Sequence, residues 1–221
     1  MDSSTGKVGC IMRVDLVQYF VMATLGHSIS TVFYGHQPSD PDNCTTVYAE
    51  PEEVNVHSTV ELASYQAIIR HETYATGETW ARTIFDAIKE KNSLNTYHGL
   101  YLTAAMSGTT DPITFAPDDG SGNTKAAVFT VADYILIGEE MLKVTGVSSP
   151  NVTASRAALG STKAAHLENA EIYNCTQNPI PGKQCDSTFP TEELSGVLPL
   201  GFNEDNDTWE FSVNWTVTLI P

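Results

Sequence analysis

The side chains that could do chemistry are few, and their spacings do not assemble a reaction centre. Six histidines, at 27, 36, 57, 71, 98 and 166, show no ligand spacing. His166-Leu167-Glu168 imitates the His-x-Glu half of a zinc deaminase site, but no Pro-Cys-x-x-Cys follows. His71-Glu72 lacks the second histidine that a zinc protease helix needs. Gly120-Ser121-Gly122-Asn123-Thr124-Lys125 has glycines and a lysine without the spacing of a phosphate-binding loop, and reads as a turn. There is no G-x-S-x-G. Asn203, Asp205 and Asp207 alternate like calcium ligands, yet the turn glycine is missing and the twelfth position is Asn214, not glutamate. The expectation is no catalytic residue, no cofactor site, no metal site and no enzyme.

The four cysteines, at 10, 44, 175 and 185, contain no C-x-x-C, which removes zinc-ribbon and thioredoxin readings. A disulfide between Cys175 and Cys185 would close a proline-containing loop; in a reducing compartment four free thiols are expected, and the spacing leaves both open. Glycosylation patterns at Asn43, Asn151, Asn174, Asn206 and Asn214 matter only in a secreted chain. The chain has 221 residues, 41% hydrophobic and 17% charged, long enough to bury a core. Its net charge of −16 is spread along the whole length, with no basic cluster to neutralise phosphates. Nucleic-acid binding is therefore not expected, and no apolar run is long enough to cross a membrane.

These residues must be positioned by a mixed set of elements. Residues 12–25 carry Val14, Val17, Phe20, Val21 and Leu25 near a 3.6-residue period, with Gly26 to end a first helix. Residues 31–34 read as a strand, 35–43 as a loop stiffened by Pro38 and Pro41, 44–48 as a strand, 50–58 as a loop, and 62–70 as a strand. Thr76 caps a second helix to 91, with Trp80, Ile84 and Ile88 on its core face. Residues 99–106 read as a strand. Residues 108–125 read as a connector, followed by β-like runs at 126–131, 134–137, 141–147 and 152–155, and by a loop-rich stretch at 175–201. The clearest signal is 209–219. Trp209, Phe211, Val213, Trp215, Val217 and Leu219 alternate with polar residues, which predicts one strand more than ~30 Å long with a buried face.

Three stretches together resemble phage tail-terminator (tail-completion, minor capsid) proteins. They are Tyr34-Gly35-His36-Gln37-Pro38-Ser39-Asp40-Pro41-Asp42-Asn43-Cys44, then Ser64 to Tyr74 with Arg70 at the strand end, then Gly201 to Trp215 with Ser212-Val213-Asn214 at its centre. Residues 134–173 resemble a small β module of phage virion proteins, through Tyr134 to Val144, Val152 to Ala157, and Gly160 to His166. That module usually has Arg-Gly where this chain has Arg156-Ala157.

The resemblance implies an α+β fold: an antiparallel or mixed β-sheet with two flanking helices over 1–110 and 197–221, interrupted by a β-rich domain at 111–196. It implies a virion structural protein of the tail and neck, assembled in the host cytoplasm. Six copies would form a ring at the head-proximal end of the tail, stop tube growth, and dock the head connector or stopper. Expected partners are other copies of itself, the tail-tube protein and the connector, with DNA passing an acidic lumen unbound, and no membrane. The alternatives are another virion protein (tail tube, stopper or baseplate subunit) or a secreted binding glycoprotein. Pro38, Asp40, Pro41 and Asp42 are the candidate ring or tube contact, because two prolines lower the cost of ordering the loop on binding. Arg70 is the candidate for a salt bridge between subunits.

Overall fold

A computed structural model of the chain describes residues 14–49, 53–54, 61–90, 100–176 and 191–219, and in it the periodic segments sort into two sheets and two helices. In chain order they are α1 (Val14–Leu25), β1 (Val32–Tyr34), β2 (Cys44–Ala49), β3 (Glu53–Val54), β4 (Glu61–His71), α2 (Tyr74–Glu90), β5 (Leu100–Leu102), β6 (Ile113–Phe115), β7 (Pro117–Asp118), β8 (Tyr134–Ile137), β9 (Glu140–Ser148), β10 (Asn151–Ser155), β11 (Glu171–Asn174), β12 (Thr191–Leu194), β13 (Leu198–Asn203) and β14 (Thr208–Leu219).

The first sheet runs β1-β2-β4-β14-β12, with β13 beside β12 on the same edge of β14 and β3 paired to β4. Its spine is the antiparallel pair β4 and β14, aligned from His71 opposite Trp209 to Glu61 opposite Leu219. Alternation along β14 does what period two requires: Phe211, Val213 and Trp215 go into the core, opposite Ile69, Ala67 and Tyr65. Both helices contribute to that core, α1 through Val17, Phe20 and Val21, and α2 through Ala81, Ile84 and Ile88. Trp80 lies at its margin.

Helix α1 ends as Gly26 predicts. Gly26 takes φ +67, and the His27 amide donates to the Met22 carbonyl at 3.1 Å, the wider of the two Schellman bonds. Helix α2 starts three residues earlier than a cap at Thr76 would place it. The Gly77 amide donates to the Thr73 carbonyl at 3.0 Å, so Thr73 closes the first turn and Thr76 sits inside the helix. Gly77 is there for space: a Cβ would meet Phe211 Cε2 at 2.7 Å.

The second sheet runs β6-β10-β9-β8-β11-β5-β7. Its centre is two hairpins. Gly138-Glu139 joins β8 to β9 with Gly138 at φ +62, and Ser149-Pro150 joins β9 to β10. One face buries Ile135, Ile137, Leu142, Val144 and Val152 in a core of its own. The other sends Leu136 and Met141, with Cys175 after β11, into the core of the helix-bearing sheet. Burial on both faces explains why β8 reads as an unbroken apolar run. The Ile29 amide also donates to the Leu159 carbonyl at 3.2 Å across this junction.

Several expectations are corrected. Strand 100–102, expected in the helix-bearing domain, pairs with β11 and β7 of the second sheet, so that sheet begins before the expected boundary at 110. Strand 191–194, expected in the inserted domain, pairs with β14 of the first sheet. The supposed connector 108–125 holds β6 and β7, the supposed loop 50–58 holds β3, and the loop-rich 175–201 holds β12 and the start of β13. Residues 126–128 form a 3-10 turn, closed by the Phe129 amide on the Ala126 carbonyl at 3.1 Å. The first residues of the expected first helix, Met12 and Arg13, and the last of the second, Lys91, lie outside the described residues. Over the described residues the fold is thus mixed α+β, mostly β, built on two sheets and two helices.

Candidate assembly surface

Strand β1 runs parallel to β2. The connection 35–43 therefore has to carry the chain back from the end of β1 to the start of β2. It crosses the sheet face opposite the helices, the face that presents Cys44 and its cross-strand partner Arg70. Arg70 reaches up and holds the loop. Its Nη2 donates to the Pro41 carbonyl at 2.7 Å and to the Ser39 carbonyl at 3.2 Å. Asn43 Oδ1 accepts from the Glu72 amide at 2.9 Å and pins the far end of the loop to β4.

This geometry brings the five sequence-predicted residues together and corrects the role of one. Ser39 and Asp40 are exposed, while Pro38, Pro41 and Asp42 are half-buried, so the loop offers its tip outward. Arg70 is only 3% exposed and its bonds are internal, which leaves it no face for a salt bridge to another subunit. A lone arginine ending an apolar strand reads as a surface charge. What the sequence does not display is the register that sets it beside Cys44 and under the loop. Burial raises the Cys44 thiol above its ordinary range, and the Arg70 charge and hydrogen bond pull part of that back. Cys44 and Cys175 are both buried free thiols, and Cys185, the other half of the disulfide left open by the spacing, lies outside the described residues.

The far edge of the same sheet is different in kind. Strand β13 exposes Leu198, Leu200 and Phe202 at 46%, 53% and 44%. Phe202 leans on Trp209, which meets Tyr74, which meets Phe211, each pair with ring centroids 5.1 Å apart. Such rows bury area well and are enriched where proteins meet.

In the second sheet the chemistry-bearing residues are used for structure. Glu140 and Arg156, both buried, form a two-pronged pair: Arg156 Nε donates to Oε1 at 2.9 Å and Nη2 to Oε2 at 2.5 Å. The Ala157 and Ala164 amides and His166 Nε2 complete the carboxylate at 3.2, 3.0 and 2.9 Å. Arg156 also donates to the carbonyls of Ser107, Thr110 and Ala164. Burial alone would raise the Glu140 carboxyl; the bonds from Arg156, the two amides and His166 outweigh it and hold it below its ordinary range. His166 is thus a cross-link and not half of a deaminase site. Ala157 takes φ +53, the left-handed conformation that glycine adopts freely and alanine only under strain. The turn expected at 120–125 is held by Asp119, whose carboxylate accepts from Ser121 and pairs with Lys125 at 3.1 Å. No group of three or more His, Cys, Asp or Glu is arranged to hold a metal ion among the described residues.

Of the basic side chains among the described residues, Arg70 and Arg156 are buried. Arg82, Lys125 and Lys163 pair with Glu78, Asp119 and Asp111. Lys89 and Lys143 lie over the rings of Phe85 and Tyr134. Asn174, one of the glycosylation patterns, is buried and donates to Asp133 at 2.9 Å, which a glycan would break. No described helix is long and apolar enough to cross a membrane. Neither protein-family models nor curated proteins yield a match to this chain.

Proposed function

We propose that this protein is a virion structural protein of the tail-terminator kind: a subunit of a ring at the head-proximal end of a phage tail that stops tube growth and receives the head connector. One observation carries the reading. The three stretches that resemble tail terminators are far apart in sequence, yet they meet on one rung of one sheet, where Cys44 pairs with Arg70 and Arg70 with Glu210. The loop of the first stretch is braced from beneath by Arg70, so its tip is already ordered when a partner arrives, and binding costs less. A terminator must fit the growing end of a tube on one side and fail to copy it on the other. A stiff loop suits the first task.

The charge suits a conduit. Net charge is −16, and each exposed cation among the described residues is tied to a neighbouring carboxylate or ring. DNA would slide past such a lumen without sticking.

The test is negative-stain imaging of the purified protein, alone and with its tail-tube subunit. Six-fold rings, or tubes that end in a distinct cap and stop, are the expected result. Long tubes from this chain alone would move it to the tube-subunit class. A monomer indifferent to tube ends would sink the reading.

A further inference from the structure

We infer that the corner His71-Glu72-Thr73 is an acid-sensitive catch on the 35–43 loop: one proton on His71 turns Nδ1 from acceptor to donor and slackens the pin at Asn43. The catch belongs to this chain alone. That it governs docking to a tube rests on the reading above, which the imaging test decides separately.

The corner makes two hydrogen bonds from consecutive amides. The Thr73 amide donates to His71 Nδ1 at 2.9 Å. The Glu72 amide, one residue back, donates to Asn43 Oδ1 at 2.9 Å and ties the end of the loop to the end of β4. Nδ1 accepts such a bond only in the neutral ring with its proton on Nε2. The protonated ring carries N–H groups at both nitrogens. Its Nδ1–H then meets the Thr73 N–H proton to proton, and one of them must turn away. The two amides lie in adjoining rigid peptide planes, so a turn at Thr73 swings the Glu72 amide with it.

Glu72 gives the charged ring an acceptor to turn to. It is exposed, and it is the one carboxylate acting on His71 among the described residues. The other elements around the ring supply no competing acid. Trp80 of α2 meets the His71 ring edge-on at 4.8 Å and the His27 ring at 4.2 Å, and α2's Glu78 is engaged with Arg82. Strand β14 sets Trp209 opposite His71, while its Glu210 pairs with Arg70 on the other face. The last turn of α1 carries no charge. His27 follows that turn, and its Nδ1 is buried without a hydrogen-bond partner. A proton there would find no acceptor, and charge on His71 opposes it, so the first proton goes to His71. Burial delays that proton. The catch is therefore shut at neutral pH and opens below the ordinary histidine value.

Cys44 reports the catch, because it follows Asn43 directly and is buried beneath the loop. Arg70 still grips Ser39 and Pro41 when the pin slackens, so the loop end loosens while its middle stays. The change is worth one neutral hydrogen bond, ~5-fold in the open population.

The experiment uses the full chain. Labelling of Cys44 by a dipyridyl disulfide, which attacks thiols in acid as well, is followed by mass spectrometry of its peptide from about pH 8 to about pH 5. Each rate is divided by that of the urea-unfolded chain at the same pH, so the chemistry of the thiol cancels. Near-ultraviolet circular dichroism reports the fold. The wild-type ratio should rise ~5-fold as the pH falls past the ordinary histidine value. His71→Asn puts an amide oxygen in the place of Nδ1 and does not titrate, so its ratio should stay flat. Asn43→Ala should start at the acid level and remain there. Glu72→Gln keeps the corner's amides and removes its carboxylate, so its rise should move to lower pH. A flat wild type overturns the catch, as does a rise that persists in His71→Asn or that accompanies loss of the near-ultraviolet signal. If His71→Asn fails to fold, Glu72→Gln decides: a rise at the wild-type pH overturns the catch.

Discussion

Replacing Arg70 with methionine should release the 35–43 loop and leave the rest of the protein standing. Arg70 gives the loop two charge-assisted hydrogen bonds, to Pro41 at 2.7 Å and to Ser39 at 3.2 Å. Bonds of this class contribute ~1.5–3 kcal/mol each when buried. Ser39 is exposed and Pro41 half-buried, so both carbonyls recover water when the loop lifts, and the net loss is ~2 kcal/mol. At ~1.4 kcal/mol per factor of ten, that multiplies the open population ~30-fold. The global cost is smaller. Methionine fills similar volume, and it removes a buried guanidinium whose Nε has no hydrogen-bond partner. Global unfolding should therefore shift by no more than ~1 kcal/mol. Cys44 supplies the assay, because it is buried beside Arg70 beneath the loop. In a Cys10→Ser/Cys185→Ser background, native-state labelling of Cys44 by a small thiol reagent should accelerate ~30-fold, with the urea midpoint almost unmoved. An unchanged labelling rate would refute the brace. Collapse of the whole fold would refute its local character.

The Glu140–Arg156 pair should behave as a unit. Glu140→Leu strands a buried guanidinium and should cost ~3–5 kcal/mol, whereas the double change Glu140→Leu/Arg156→Met should cost at least ~2 kcal/mol less than the two singles added, by denaturant titration. Gly77→Ala should destabilise by ~1–3 kcal/mol despite alanine's better helix propensity, because its methyl meets Phe211. Ala157→Gly should stabilise by ~0.5 kcal/mol by relieving a left-handed φ, so the two exchanges should move the melting temperature in opposite directions. Burial holds His27 and His71 below the ordinary imidazole range, at His27 with help from His71, where both rings stand edge-on to Trp80. A lowered folded value means the unfolded chain takes up the proton first. The contribution is therefore full above the ordinary histidine value and is lost as pH falls through the folded one; the urea midpoint should drop as the pH is lowered past the ordinary histidine value.

The parts of the fold legible in the sequence are those long enough to show a period. Eleven alternating residues announce β14, and the repeat at Trp80, Ile84 and Ile88 announces α2, although Ala81 and not Trp80 is fully buried there. Strands of two to four residues, such as β6, β7 and β12, contain too few positions for a period to emerge, and their Gly, Pro, Asp and Thr content reads as turn. Leu100–Leu102 is recognisable as a strand, but sequence adjacency says nothing about which sheet accepts it. At the candidate surface, the proline-rich loop is visible and its brace is not. The Arg70–Pro41 contact joins residues 29 apart through a register that only the sheet defines. A charged residue inside an apolar run was the available signal for Arg70, and equally for Glu140 and Arg156, whose mutual pairing needs the folding of 107–111 and 157–166 around them.

The placement of Leu136, Met141 and Cys175 bears on how this protein can be altered. An inserted module that only decorated its host could be cut out as a cassette, exchanged with a relative's, or replaced by a label. Here removal would strip part of the lining from the core that seats both helices, and the remaining sheet would be left with an apolar wound open to water. Grafts and tags belong instead at hairpin tips that face away from the shared core. The Ser149-Pro150 turn and the exposed 120–123 turn are the places where added chain would leave both sheets intact.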